Sequence, residues 1–146
     1  MTRPLTAQEI EEQIVRRLPQ AVVEVAPTAV IVKSESLSEV ARLLKETPSL
    51  DFDYLVSITG VDYLDYFEVI YHLVSLENNR SLVLKTRCYD RDEPAVPSMV
   101  GLWRSADFQE REVYDLMGIK FSDHPNLKRL LLWEGFPGHP LRKDYL

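Results

Sequence analysis

The sequence holds a single cysteine, Cys88, among 146 residues. One thiol closes no disulfide within the chain and supplies no cysteine-ligated zinc or iron–sulfur site. Glycine is scarce, at Gly60, Gly101, Gly118, Gly135 and Gly138. That spacing fits neither of the glycine-rich loops that cradle nucleotide phosphates. Positive charge is in deficit, with 17 Lys and Arg against 23 Asp and Glu and a net charge of −6. A nucleic-acid binder ordinarily shows the opposite balance, so that partner class is disfavoured. No apolar run approaches the roughly 20 residues of a membrane-spanning helix. The opening MTRPLTAQEIEEQ lacks the apolar core of a secretory signal, so the expected address is cytoplasmic, at most peripheral to a membrane. The histidines His72, His124 and His139 show no HxxxH or HExxH spacing, which leaves a metal site without support.

What is present is an ordinary globular composition, 45% hydrophobic and 27% charged, at a length that suits one domain. Thr6-Ala7-Gln8-Glu9 has capping-box form and opens a helix over about Ala7–Leu18, with an apolar stripe of Ile10, Ile14 and Leu18. Ala21–Val25 and Ala29–Lys33 are β-branched and flank Pro27-Thr28, which predicts a strand pair. A second capping-box match, Ser36-Leu37-Ser38-Glu39, opens a short helix before Pro48. Asp53–Tyr63 reads as one strand, and Tyr66–Leu76 and Ser81–Tyr89 as a hairpin around Glu77–Arg80. On Tyr66–Leu76 both alternating sets are mostly apolar, which predicts cover on both faces. The order α-β-β-α-β-β-β implies an α+β fold with helices packed on a mixed sheet. The clearest break is DRDEPAVP, so residues 1–97 are expected to form the core and residues 98–146 a C-terminal helix and irregular docking tail of the same domain.

Ser98 and Ser105 are candidate N-caps, the helix is placed at about Ala106–Met117, and Gly118 is its natural stop. At about 100° per residue, Ala106, Val113, Leu116 and Met117 share the core face. Arg111 and Asp115 then point outward, and Glu110 and Glu112 lie at the border. Asp107 and Asp115 flank Arg111 at four residues on either side, a pattern worth about 0.2–0.5 kcal/mol per pair on an exposed helix. Phe108 beside Arg111 instead suggests an interface. Two His-Pro pairs, His124-Pro125 and His139-Pro140, stiffen the tail. The tail's Lys128, Arg129, Arg142 and Lys143 suit an acidic partner. Cys88, inside a predicted strand, is expected to be a buried inert thiol. Asp62 and Asp65 are expected to cap or turn the chain.

The stretch EREVYDLMGIKFSDHPNLKRLLL carries a resemblance. It is similar to the signature of the C subunit of proton-pumping NADH:quinone oxidoreductase, respiratory complex I. That pattern begins Glu-Arg-Glu (Glu110, Arg111, Glu112), passes two free positions (Val113, Tyr114), and takes an acid (Asp115) and two apolar residues (Leu116, Met117). Six intervening positions lead to a histidine (His124), three more to a basic residue (Lys128), and one more to two aliphatics (Leu130, Leu131). Gly118, Phe121, Pro125 and Arg129 also look typical, as does the closing GHPLRKDY with Gly138, His139, Pro140, Arg142 and Asp144. Some family members run on past that closing motif or are fused to the D subunit, and contacts made by such extensions are not carried over.

The resemblance implies a structural subunit of the hydrophilic arm, peripheral on the cytoplasmic side of the cell membrane. It implies no cofactor in this chain, with FMN and iron–sulfur clusters in other subunits. It implies packing against other arm subunits, above all the D subunit, near the quinone-reducing region. The signature residues, Tyr114 among them, would form that partner interface, with Arg111 as its anchor. The role would be to support electron transfer coupled to proton translocation without independent activity. Two alternatives stand beside it. One is the equivalent subunit of a related membrane-bound hydrogenase or ferredoxin-dependent complex. The other is a stand-alone acid/base enzyme using Glu110, Glu112 and His124.

Overall fold

A computed structural model describes residues 3–4, 7–27, 29–129 and 137–143. A short strand β1 (Arg3–Pro4) and helix α1 (Ala7–Arg17) precede an antiparallel pair, β2 (Val22–Ala26) and β3 (Ala29–Val32). A 3-10 turn (Ser34–Ser36) runs into α2 (Leu37–Glu46), followed by β4 (Tyr54–Asp62), β5 (Phe67–Ser75) and β6 (Arg80–Cys88). These strands form one mixed sheet in the order β2-β3-β6-β5-β4, with β1 also beside β6. Strands β1 and β3 run parallel to β6, and the other pairings are antiparallel. The architecture is the α+β fold on a mixed sheet that the residue pattern implies.

The core lies on one face of the sheet. Phe67, Val69, Tyr71 and Leu73 of β5 point into it beside Leu55 and Leu84, and Ile10 and Ile14 of α1 and Val40 and Leu44 of α2 complete it. Each large apolar side chain removed from water here contributes roughly 1.5–3 kcal/mol. The other face differs from the expectation of double cover. There Glu68 is buried, Ile70 and Val74 are half-buried, and His72 is exposed. Glu68 is shaded by Arg87 at 3.1 Å and Lys85 at 3.5 Å, which are side chains of the sheet itself. Apolar alternation records which positions tolerate burial, and it does not record whether a second layer is there.

Two further differences have local causes. Ser36 makes no capping hydrogen bond and is itself helical, with φ −99° and ψ −3°. The 3-10 turn leads straight into α2, so the Leu37 N–H is already satisfied by the Ser34 carbonyl. Thr6, of the first capping box, lies outside the described residues. The expected irregular regions around the last helix contain two strands, β7 (Ala95–Pro97) and β8 (Lys120–Ser122), paired in parallel. Three residues are too few to display a two-residue period, so both escape sequence reading.

Candidate functional site

Helix α3 (Ala106–Met117) occupies its expected span. It covers β4, the edge strand of the sheet, whose outward backbone groups need partners. The Ile58 N–H donates to Gln109 Oε1 at 2.6 Å, beside the irregularity in β4 between Leu55 and Ser57. The Ser105 hydroxyl donates to the Leu55 carbonyl at 3.1 Å, so this serine ties helix to strand and leaves the N-cap unbonded. Helix and strand approach closely at Gly60, where a Cβ would lie 3.0 Å from Val113 Cγ1.

The expected faces of α3 need correction. Ala106, Val113 and Met117 are buried as read, but Leu116 is only half-buried, and Glu110 and Asp115 are wholly buried. A helical wheel with one core face fails because α3 is enclosed from several directions. Strand β4 lies on one side, the Ser98–Met99 turn meets Glu110, and the tail meets Asp115. Arg111 does not pair with Asp107 or Asp115 as the spacing suggested. Its guanidinium donates to the carbonyls of Lys128 (3.2 Å) and Arg129 (3.5 Å) and lies 5.7 Å from the Phe108 ring centroid.

Glu110 accepts from the Ser98 hydroxyl at 2.6 Å and the Met99 N–H at 2.7 Å. Burial pushes its carboxyl up to about 7, against those two hydrogen bonds. Beside it stands His124. The Asn126 N–H donates to Nδ1 at 2.9 Å, which places the ring proton on Nε2. That nitrogen lies 3.0 Å from Asp107 Oδ1, 3.3 Å from the Asp107 carbonyl and 4.0 Å from Glu110 Oε1. Two members of the acid/base alternative are thus brought together. Both side chains have 0% exposure, and the third member, Glu112, is exposed on the helix surface. In this conformation the pair meets no external substrate.

The C-terminal end of α3 is built into the tail. Gly118 takes φ +78° and closes the helix with its N–H on the Tyr114 carbonyl. The next orphan carbonyls are met from the tail. His139 Nδ1 donates to the Asp115 carbonyl at 2.9 Å, and the Leu141 N–H donates to the Leu116 carbonyl at 2.9 Å. Arg129 gathers the pieces. Its Nε lies 2.5 Å from Asp115 Oδ1, and its Nη2 donates to the Asp115 carbonyl (2.9 Å) and the Gly138 carbonyl (2.6 Å). Cationic groups also suit the negative end of a helix. The His139 ring packs 6.0 Å from that of Tyr114.

A second anchor of the tail lies at the end of β4. Asp62, at the end of β4, does turn the chain by accepting from the Leu64 N–H at 2.8 Å. It also pairs with Arg91 through both oxygens, at 2.7 and 2.9 Å, and accepts from the Lys143 N–H at 2.8 Å. The Arg91 guanidinium and these N–H donors hold its carboxyl well below the usual range, against burial. Arg142 donates to the Arg91 carbonyl, and both guanidiniums lie over the Phe67 ring, at 4.9 and 4.5 Å. An acid ending a mostly apolar strand is the faint sequence signal that was available. Ser98, a candidate N-cap, does accept from the Val100 N–H at 3.2 Å, but nothing local signalled its bond to Glu110, nor the roles of Gln109 and Arg91.

Other predicted positions are scattered. Phe121 is buried in β8, Pro125 and Lys128 are exposed, and Pro140 is half-buried. Leu130, Leu131 and Asp144 lie outside the described residues. His72 is on β5 while His124 packs against α3, so the histidines do not converge. Among the described residues, no group of three or more His, Cys, Asp or Glu is arranged to hold a metal ion, and no helix is long and apolar enough to cross a membrane. Cys88 is buried, and desolvation pushes its thiol up to about 11, the state of an unreactive thiol.

Gly118 yields a direct prediction. A Cβ there would lie 2.7 Å from His139 Cδ2, in a left-handed backbone. Gly118→Ala is expected to cost about 2–3 kcal/mol, from backbone strain plus the displaced His139 hydrogen bond. Thermal melts read the loss, and the His139 ring proton shifts in NMR spectra read the displacement. An unshifted His139 ring would contradict it.

Comparison with known proteins bears on this arrangement. Residues 30–146 match the family described as respiratory-chain NADH dehydrogenase, 30 Kd subunit. The C subunit of NADH-quinone oxidoreductase from Roseiflexus sp. (strain RS-1) is 43% identical over 140 residues, spanning 91% of this chain and 80% of that protein. The second of the C subunits from Rhizobium meliloti (strain 1021) is 45% identical over 120 residues, 80% of this chain and 65% of that protein. The C subunit from Cupriavidus pinatubonensis is 39% identical over 145 residues, 93% of this chain and 73% of that protein. Among solved structures, a chain of the membrane-bound sulfane sulfur reductase, an archaeal respiratory membrane complex, superposes with a TM-score of 0.78 at 26% identity. That match covers 94% of this chain and 84% of that one.

Proposed function

The chain belongs to the family of the 30 kDa subunit of respiratory-chain NADH dehydrogenase, and from that premise we propose that it is a cofactor-free structural subunit of the complex's hydrophilic arm. In this reading it packs against the D subunit near the quinone-reducing region, on the cytoplasmic side of the membrane. It supports electron transfer from NADH to quinone, coupled to proton translocation, by shaping its neighbours. FMN and iron–sulfur clusters belong to other subunits.

The observation that carries the reading is how the signature residues are used. Asp115, Arg129, Gly138 and His139 bind one another and fix the tail onto α3. The same set leaves Glu112, Pro125 and Lys128 exposed. We assign the interface to such outward members and the holding of its shape to the inward ones. Residues 1–97 and 98–146 act as one domain in this proposal, supported by the pairing of β7 with β8 and by the Asp62–Lys143 contact.

Arg111 tests it. Because Arg111 holds the Lys128 and Arg129 carbonyls, Arg111→Ala is expected to cost the fold about 1–2 kcal/mol and to lower incorporation into the arm. Thermal melts of the chain and native gels of membrane extracts measure the two effects. Normal incorporation would sink the interface reading.

A second reading is favoured by the sulfane sulfur reductase likeness. The same fold would serve a related membrane complex, of hydrogenase or ferredoxin-dependent type. Purification of the tagged chain with its complex decides between them, because co-purifying NADH- and flavin-binding subunits support the first reading alone.

A further inference from the structure

We propose that the turn joining β4 to β5, together with the residues just after β6, docks a lysine- or arginine-bearing segment of a neighbouring subunit. The proposal rests on the subunit reading above. Three large side chains stand in solvent here, Tyr63, Leu64 and Tyr89, with 45, 58 and 65% of their surface exposed. The two tyrosines among them are packed against a third ring nonetheless. Tyr66 lies between the two other tyrosines, its ring centroid 5.4 Å from each, and the Arg87 guanidinium lies 4.9 Å from the Tyr66 ring centroid. Rings already held in place lose little freedom when a partner arrives.

The tip is strained as well as exposed. Leu64 takes φ +73°, and the Asp65 N–H donates to the Tyr63 carbonyl across it at 2.9 Å, a three-residue γ-turn. Glycine adopts that backbone freely, whereas leucine is an outlier there. The strain persists because Asp62 holds the base of the turn through Leu64, Arg91 and Lys143. A strained apolar residue aimed into water on a rigid base is unexplained by folding, and such outliers gather at binding sites.

The charge around the tip selects the partner. Asp65, Asp90, Asp92 and Glu93 are all exposed, against one exposed cation on the tail segment bound there, Lys143. Asp90 accepts from the Asp92 and Glu93 N–H groups, which fixes the course of that loop. Arg91 turns inward to Asp62 and Phe67, and Arg87 is paired with Glu68 and Glu24. Tyrosine rings with exposed acids adjacent to them in the chain suit an ammonium or guanidinium on an alkyl stem.

The experiment uses the full chain in membranes that carry the assembled complex. A photo-crosslinking amino acid at position 89 is expected to capture a neighbouring subunit at a segment bearing Lys or Arg. Capture of a second copy of this chain, capture of a segment without such residues, or no capture from a complex that retains the chain would each overturn the proposal. If the chain does not purify with a complex at all, the subunit reading fails and this proposal falls with it, a result distinct from the other three. Leu64→Gly separates docking from folding. It relieves the strain, so the isolated chain should melt at an equal or higher temperature, while retention in the complex after a salt wash drops about tenfold. Asp92→Lys with Glu93→Lys is expected to produce a similar loss. Unchanged retention in both variants would mean that the turn is structural only.

Discussion

Arg129→Met is expected to remove about 3–5 kcal/mol of stability and to release residues 137–143 from helix α3. The Asp115 carboxylate has no solvent exposure. Without Arg129 it would remain charged, buried and deprived of the 2.5 Å contact, or it would take up a proton at some cost. The Gly138 carbonyl would lose its Arg129 donor at the same time, and the Asp115 carbonyl would keep only His139. Urea unfolding measures the stability, and amide hydrogen exchange at Leu141 reports release, since its N–H is bonded to Leu116. The paired variant Asp115→Leu, Arg129→Met is expected to recover part of the loss, because it leaves no orphaned charge. Recovery with Leu141 still unprotected would show that the ion pair's work is to place the tail. Wild-type unfolding of Arg129→Met would refute the clasp.

Glu110→Gln is expected to flatten the dependence of stability on pH. The folded carboxyl sits at about 7 and its ordinary value is 4.5, because burial penalises the charged form. A carboxyl raised by folding binds more protons in the native state than in the unfolded chain across that interval. Its contribution is therefore full below about pH 4.5 and is lost as pH rises through 7, the reverse of the usual acid-labile carboxylate. The interval corresponds to about 3 kcal/mol. Asp62 acts in the opposite sense, since its lowered value makes stability fall in acid. Melting temperatures of both proteins between pH 5 and 8 should converge at the acid end and separate at the alkaline end, with the glutamine variant higher. Parallel curves would refute the assignment.

Much of the fold could be read from residues alone, and the reason is periodicity. Ile10 and Ile14, Val40 and Leu44, and the alternation in β5 each repeat over a length sufficient to declare a helix or a strand. Gly118 announced its left-handed stop. The site was legible as a motif and illegible as geometry. A wheel drawn for α3 placed Asp115 in water, because nothing in the sequence says that Arg129 returns to it from 14 positions away. Arg111 looked like the partner of two acids four residues distant, but the acids were taken by His124 and Arg129. Pairings that cross the chain are set by which surfaces the tail covers, and no local spacing encodes them.

The dependence of α3 on residues 139 and 141 also imposes an order in time. A chain is synthesised from its N-terminus, and its domains generally fold as they emerge. The strands of the main sheet have all been translated by Cys88, but the open edge at β4 waits for Ser105 and Gln109. The carbonyls that end α3 wait longer still, for His139 and Leu141. Until then the helix has a loose end and the sheet a poorly guarded rim. A chain that stops short of His139 and Leu141 is therefore expected to leave the Asp115 and Leu116 carbonyls without these two donors.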